Sequence, residues 1–482
     1  MHARPGRGTR GERTRTQGIG EGSEPGRGHL RAARVVDASE DHGVHGAEPY
    51  PASGYHARMP GDTLEEPARR TPVRHECDVL VVGGGAAGVA AATAAARGGA
   101  DVLLVERSNA LGGLATGGLI VLLLTLDDGR GNPVVRGICQ EITERLAARG
   151  AAYYPEPGEW GRADEALIAR ERSFGLVWGH PPHRVRYSVA YDPEAMRLVL
   201  LELLEAAGVR LLLHAQAAEP LVEAGNIHAV TFQSKAGRFA VRAKIVVDAS
   251  GDGDLFAAAG CAFEHEQVLP WLWFTLGGVE DAPAAAARGV GFRTPGAGRL
   301  LMPWGATEKI ARRIDATSPE DLSYAEIECR KRVMAEFERL RREEPGFADA
   351  HLCRVAEQLG ITESRRLLGR RRLGRDDVDQ RQADAIALTG HWTKYGALYW
   401  IPYGALLPRE LDNLLVAGRC ISVDHRVHHA TKEIPACFAT GEAAGTAAAL
   451  ALARGVAPAA LDVAALRSRL QGAGAILDVG AT

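Results

Sequence analysis

The stretch from Cys77 to Glu106 leaves this chain little freedom of local fold. Asp78-Val79-Leu80-Val81-Val82 is a short apolar run, predicted to be a fully buried strand. Gly83-Gly84-Gly85-Ala86-Ala87-Gly88 follows at once, then an alanine-rich helix to about Arg97. Gly99 ends that helix, and Val102 to Val105 forms a second buried strand closing on Glu106. The result is a βαβ unit of about 30 residues, the context a dinucleotide fingerprint requires. Gly83 permits the tight turn, Gly85 lets backbone approach a pyrophosphate, and Gly88 lets helix and strand pack closely. Ala86 and Ala87 open the helix whose free N–H groups and positive dipole end would face the diphosphate. Glu106 is placed to accept hydrogen bonds from ribose hydroxyls, which disfavours a 2′-phosphate.

Further motifs distinguish the nucleotide. Arg107 to Thr116 carries a second glycine doublet, Gly112-Gly113, which lets the backbone wrap along an extended cofactor. An NAD dehydrogenase has no need of it, so the expected cofactor is FAD. Asp192-Pro193 opens a second α/β unit, with an Asp cap, a helix from Pro193 to about Ala207 and a stop at Gly208. The strand ending at Asp248 leads into Gly251-Asp252, a tight turn expected over the nucleotide. Ala417-Gly418-Arg419-Cys420-Ile421-Ser422 returns to the cofactor after a last core strand, and a small-residue helix runs from Pro435 to about Ala453.

The stretches Gly83–Thr116, Tyr191–Gly260, Glu363–Gly369 and Trp400–Ala451 carry a resemblance to the glycine-doublet FAD-dependent oxidoreductases. These belong to the broad glutathione-reductase-like flavoprotein group, and the chain is similar to a bacterial family within it. The resemblance implies an α/β architecture, a Rossmann-type FAD-binding domain with an inserted mixed α+β substrate cap. Residues 75–125, 190–262 and 400–455 would form the FAD domain, and 126–189 and 263–399 the cap. Residues 1–74 would be a disordered tail and 456–482 a C-terminal extension. The resemblance also implies backbone near Ala217 meeting the adenine. Gly113, Gly418, Ser422 and the start of the last helix would lie nearer the isoalloxazine, where a helix N-terminus stabilises negative charge on reduced flavin.

In the family a Glu-x-Arg-Arg element stands beside the active site, which here is Glu363-Ser364-Arg365-Arg366, with Thr362 where an arginine is common. Arg365 or Arg366 is expected to orient an anionic or polar substrate group. His425, just before the last helix, is the expected base, with His428 and His429 as neighbours. The Arg426 to Glu433 segment departs from the small residues and arginine that commonly follow such a histidine. His391, Trp392, Tyr399 and Tyr403 are candidates for the pocket wall.

Composition removes other classes. A formal net charge of −3 gives no electrostatic case for nucleic acid. Seven cysteines without a C-x-x-C pair argue against iron–sulfur, zinc and dithiol centres and fit a reducing, cytoplasmic setting. The histidine spacing resembles that of metal ligands, but no carboxylate or cysteine pattern supports a metal. No unbroken run of about 18 apolar residues predicts a membrane span. Residues 1–34 hold eight arginines against three glutamates, too polar for a core. The expected protein transfers hydride from a small organic substrate to FAD, then passes electrons to oxygen, a quinone or a redox protein. A flavin-dependent reductase of activated double bonds and a non-catalytic FAD-binding protein are the alternatives. The residues leave covalent and non-covalent FAD equally open.

Overall fold

The structure, a computed structural model, describes residues 64–305 and 309–479. The arginine-rich segment at the start lies outside them. β1 (Val73–Val82) leads into α1 (Ala86–Arg97) and β2 (Val102–Val105). β1 starts five residues earlier than the apolar run, because Val73 to Cys77 find backbone partners at Ala240 to Ala243. α2 (Pro193–Ala207) is capped by Asp192, whose carboxylate accepts from the N–H groups of Glu194 and Ala195. Gly208, at φ +74°, ends it in the left-handed region glycine favours. β3 (Arg210–Leu212), β4 (Gln216–Glu223), β5 (Asn226–Ser234) and β6 (Gly237–Asp248) follow. Near the carboxyl end come β7 (Leu414–Val416), α3 (His425–Thr431) and α4 (Ile434–Arg454).

These strands make one seven-stranded sheet. β3, β2, β1 and β6 run parallel in that order. β6 is long enough to serve two neighbours on its far side. Its first half pairs antiparallel with β5, which continues to β4, and its last residues pair parallel with β7. The register sets Val82 opposite both Val105 and Asp248, and Val416 opposite Asp248. Leu212 stands opposite Val105 as well, so five parallel strands stop at one level, and the turns after them share one edge. In an open α/β sheet that edge is where ligands bind.

α4 lies across α1 in close contact made possible by glycine. A β-carbon at Gly441 would collide with the Ala87 carbonyl, and one at Gly445 with the Ala91 carbonyl. Among the described residues α4 alone is long and apolar enough to cross a membrane, but 78% of that stretch is buried inside the protein. Glu442 interrupts its apolar character and accepts a hydrogen bond of 3.0 Å from the N–H of Ile138, where helix Ile138–Ala147 begins.

The segment 263–399 contains more strand than its composition suggests. Phe292–Arg293, Leu300–Met302, Phe274–Gly277 and His351–Val355 form a four-stranded antiparallel sheet, with helix Pro319–Glu343 between the second and last of these in the chain. Ala385–Gly390 and Leu398–Pro402 make a two-stranded antiparallel pair. Most of these strands have two to five residues, too short for a period-2 pattern to be read in sequence.

Candidate active site

A cavity of about 980 Å³ begins at the shared strand edge. Gly83, at φ +101°, donates its N–H to the Val105 carbonyl at 2.8 Å and turns the chain between β1 and α1. A β-carbon there would collide with the Ala249 carbonyl. Gly85 is different: a β-carbon on it meets nothing within 4 Å, so its backbone faces open cavity. Gly88 supports the turn from behind, since a β-carbon there would strike the Gly83 carbonyl. Gly88 thus acts on packing and does not line the cavity.

The second glycine pair is laced to the first. Gly112 donates to the Gly84 carbonyl at 2.8 Å, and Thr116 Oγ1 donates to the Leu111 carbonyl at 2.6 Å, closing the turn. Glu106 ends β2 with one carboxylate oxygen accepting from Gly84 N–H at 2.6 Å and the other from Ser108 N–H and Oγ, both at 2.7 Å. This fixes an acceptor group at the cavity wall. Asp252 is held from two sides, by the Arg419 guanidinium at 2.6 Å and by the Ser364 hydroxyl. Burial raises the Asp252 carboxyl, but the Arg419 charge and the hydrogen bonds from Ser364 and Arg419 together outweigh it and keep the group below the usual carboxylate range. Arg419 also donates to the carbonyls of Gly251 and Ile361, both at 2.7 Å, so it ties three segments together. Gly418, at φ +86°, seats its N–H on Thr440 Oγ1 of α4 at 3.1 Å.

The wall thus takes in Gly83, Gly85, Ala86, Ala87, Glu106, Arg107, Gly112, Gly113, Gly251, Asp252, Gly418 and Arg419. These residues suit FAD: an open glycine backbone at a helix N-terminus, a fixed carboxylate at the end of β2, and a chamber extending well beyond them. The chain matches the FAD dependent oxidoreductase family over residues 78–470. It belongs to that family. FAD is its cofactor, and it is an oxidoreductase.

No curated protein sequence matches this flavoenzyme. Solved structures similar to it include a geranylgeranyl bacteriochlorophyll reductase-like protein from Thermoplasma acidophilum, at 14% identity and a TM-score of 0.42, covering 83% of each chain. A p-nitrophenol 4-monooxygenase from Pseudomonas putida matches at 14% identity and a TM-score of 0.45, covering 84% of this chain and 91% of the other. An L-amino acid deaminase from Proteus myxofaciens matches at 14% and 0.42, covering 84% and 95%.

Several residues expected at the site stand elsewhere. Ser422 is buried, its Oγ accepting from Gly369 N–H at 3.0 Å, and Ala217 is half-buried in β4; neither is on the cavity wall. Arg365 and Arg366 are also off the wall, and both are buried in ion pairs. Arg365 holds Asp254 at 2.7 Å and the Asp252 carbonyl, and Arg366 holds Glu363 and Glu264. Neither guanidinium is available to orient a substrate. Asp254 is pushed up to about 6 by burial and by the Asp252 charge beside it. His425 lies outside the cavity wall with a 46% exposed side chain, its Nδ1 2.9 Å from Glu363 Oε1. His429, one helical turn later, does reach the wall, and burial pushes its imidazole down to about 2, keeping it neutral. Of the aromatic candidates Trp392 lines the cavity, whereas Tyr403 is directed to the Pro458 carbonyl at 2.9 Å.

The cavity wall also includes Trp178, Trp271, Trp273 and Lys309, which the sequence did not point to, beside Trp392, Lys432 and Glu433. Trp178 and Trp392 meet edge to face with centroids 5.6 Å apart. Among the described residues the Glu433 carboxylate has no hydrogen-bond donor and the nearest opposing charge acting on it is Lys432. Burial raises Glu433 and lowers Lys432, so both are moved towards neutral pH. One sequence signal for this pair is its position, directly before Ile434, where α4 begins.

Proposed function

We propose that the protein oxidises a small organic molecule by hydride removal from a C–H next to an O–H or N–H, with Glu433 as the proton acceptor. The FAD, when bound, supplies the hydride acceptor. The observation that carries this reading is a carboxylate on the wall of the tryptophan-lined chamber with no hydrogen bond from the described residues. A base must be free to meet the substrate, and Glu433 is, whereas His425 is engaged with Glu363 outside the chamber. Burial has also raised its affinity for a proton, which brings a carboxylate into the range useful near neutral pH. The tryptophans exclude water around the reacting carbon and present flat faces to an apolar body. Glu433 Oε takes the O–H or N–H proton as the hydride leaves the adjacent carbon. The parallel sheet with an antiparallel extension and the paired glycine turns support a place in the glutathione-reductase-like group.

Anaerobic mixing with a panel of alcohols and amines, followed by flavin absorption, tests the reading. A donor substrate should bleach the flavin, at a rate that falls as the pH drops through the raised Glu433 titration. Glu433→Gln should retain FAD and slow bleaching by about 10²–10⁴-fold. Bleaching by Glu433→Gln at the wild-type rate would remove Glu433 from the role. If no donor bleaches the flavin but activated alkenes reoxidise chemically reduced protein, the double-bond reductase replaces this reading.

A further inference from the structure

We propose that the substrate carries a negative charge, a carboxylate or a group of like geometry, which Lys432 and Lys309 receive beside Trp271. The inference rests on the reading of the tryptophan-lined chamber as the substrate site. Glu357 is paired with Arg197 and Arg354, each at 2.8 Å, and Glu326 with Arg330 at 3.0 Å. Asp252 is paired with Arg419. The two lysines have no such partner: among the described residues no carboxylate lies within ion-pair distance of either ammonium group. Lys432 Nζ donates to a neutral oxygen, Thr362 Oγ1, at 3.2 Å, and Lys309 Nζ to the Gly305 carbonyl.

An ammonium group has three N–H donors, so each lysine keeps two to offer. The two cations are also close enough to repel: Lys309 is depressed by burial and further by the Lys432 charge. Glu433, an acidic wall residue with no cationic hydrogen-bond partner among the described residues, partly offsets the Lys432 charge, and burial shifts it towards its neutral form. An anion between the lysines relieves both the burial and the repulsion. Lys309 Nζ lies 5.7 Å from the centre of the Trp271 ring, which sets a flat apolar surface next to the charge. The arginines that a substrate anion would otherwise use, Arg365 and Arg366, are already consumed by Asp254, Glu264 and Glu363. The geometry therefore suits an aromatic or flat apolar acid.

Titration of the FAD-loaded protein with phenylacetate and with phenylacetamide tests this, read from perturbation of the flavin absorption band. Phenylacetate should bind about tenfold more tightly than the amide, a gap of about 1.4 kcal/mol. Lys432→Met should erase most of that gap by weakening the acid alone, and Lys309→Met should act in the same direction. FAD content is measured in each; if Lys432→Met loses FAD, Lys309→Met decides. Equal affinity for acid and amide, no response to either, or an unchanged ratio in the variants overturns the proposal. So does a Lys432→Met protein whose flavin reduction potential shifts while the ratio holds, because the charge then serves the cofactor. The two readings fail separately. A flavin bleached by neutral donors with no acid preference removes the anion alone. An acid preference in a protein whose flavin no donor bleaches removes the oxidation and leaves the binding site.

Discussion

Gly85 and Gly88 stand three residues apart and are required for opposite reasons. Gly85 borders open cavity, so a side chain there would occupy the space of the cofactor without disturbing the fold. Gly88 presses on the Gly83 carbonyl, so even a methyl group would push α1 away from its turn. Gly85→Leu should therefore abolish the flavin spectrum while the FAD-free protein melts as wild-type FAD-free protein does. Gly88→Ala should lower stability by roughly 1–3 kcal/mol in that same FAD-free comparison. Equal melting losses in both variants would contradict this division of roles. Residues of this kind were legible in sequence because their role depends on the next few positions. Arg365, Arg366 and His425 were not. Asp254 and Glu264 lie 111 and 102 positions from Arg365 and Arg366, and His425 meets Glu363 across 62 positions, so these pairings are fixed by how distant segments meet. A Glu-x-Arg-Arg string looks the same whether its charges face a substrate or one another.

At the scale of elements, α4 joins the cofactor edge to the rest of the protein. Its glycines let it lie on α1, its Thr440 seats Gly418, and its Glu442 receives the first N–H of helix Ile138–Ala147. The sequence showed a small-residue helix starting at a proline, and the structure has one; the burial of Glu442 could be known only once its neighbour in space was known. Burial pushes the Glu442 carboxyl up to about 7 from an ordinary value of 4.5. A carboxyl raised in the folded state binds its proton more tightly there than in the unfolded chain. Its contribution is complete below the unfolded value and is lost as pH rises through the folded one. Glu442→Gln keeps an acceptor for Ile138 and removes the titration. Denaturant unfolding at about pH 4 and about pH 8 should show wild type losing roughly 3 kcal/mol relative to Glu442→Gln over that interval. Parallel stability curves would mean that the carboxyl is solvated in solution.

At the scale of the whole molecule, the cavity wall is assembled from parts of the chain that share no local structure. The glycine turns after β1 and β2, the Asp252 turn after β6, the Trp271–Trp273 stretch, residues 357–362 and the entry to α4 all contribute. Arg419 makes the coupling explicit, since one guanidinium holds Gly251, Asp252 and Ile361 together. FAD held along this wall would touch both the parallel sheet and the segments between 263 and 399, so losing it should loosen the contact between them. A ligand that binds only the folded state stabilises it by an amount set by its concentration over its dissociation constant, about 2.7 kcal/mol at a hundredfold excess. Thermal unfolding of FAD-stripped protein at stepped FAD concentrations should therefore show a midpoint that climbs steadily with the logarithm of FAD. Limited proteolysis should cut the stripped protein first between residues 263 and 399, with added FAD suppressing those cuts. NAD at the same concentrations should leave both measurements unchanged, because it has no isoalloxazine to reach past Gly113 and Gly418 towards the entry to α4. A midpoint independent of FAD, with cleavage equally fast in its presence, would mean that the cavity is complete before the cofactor arrives and that FAD does not join the two parts.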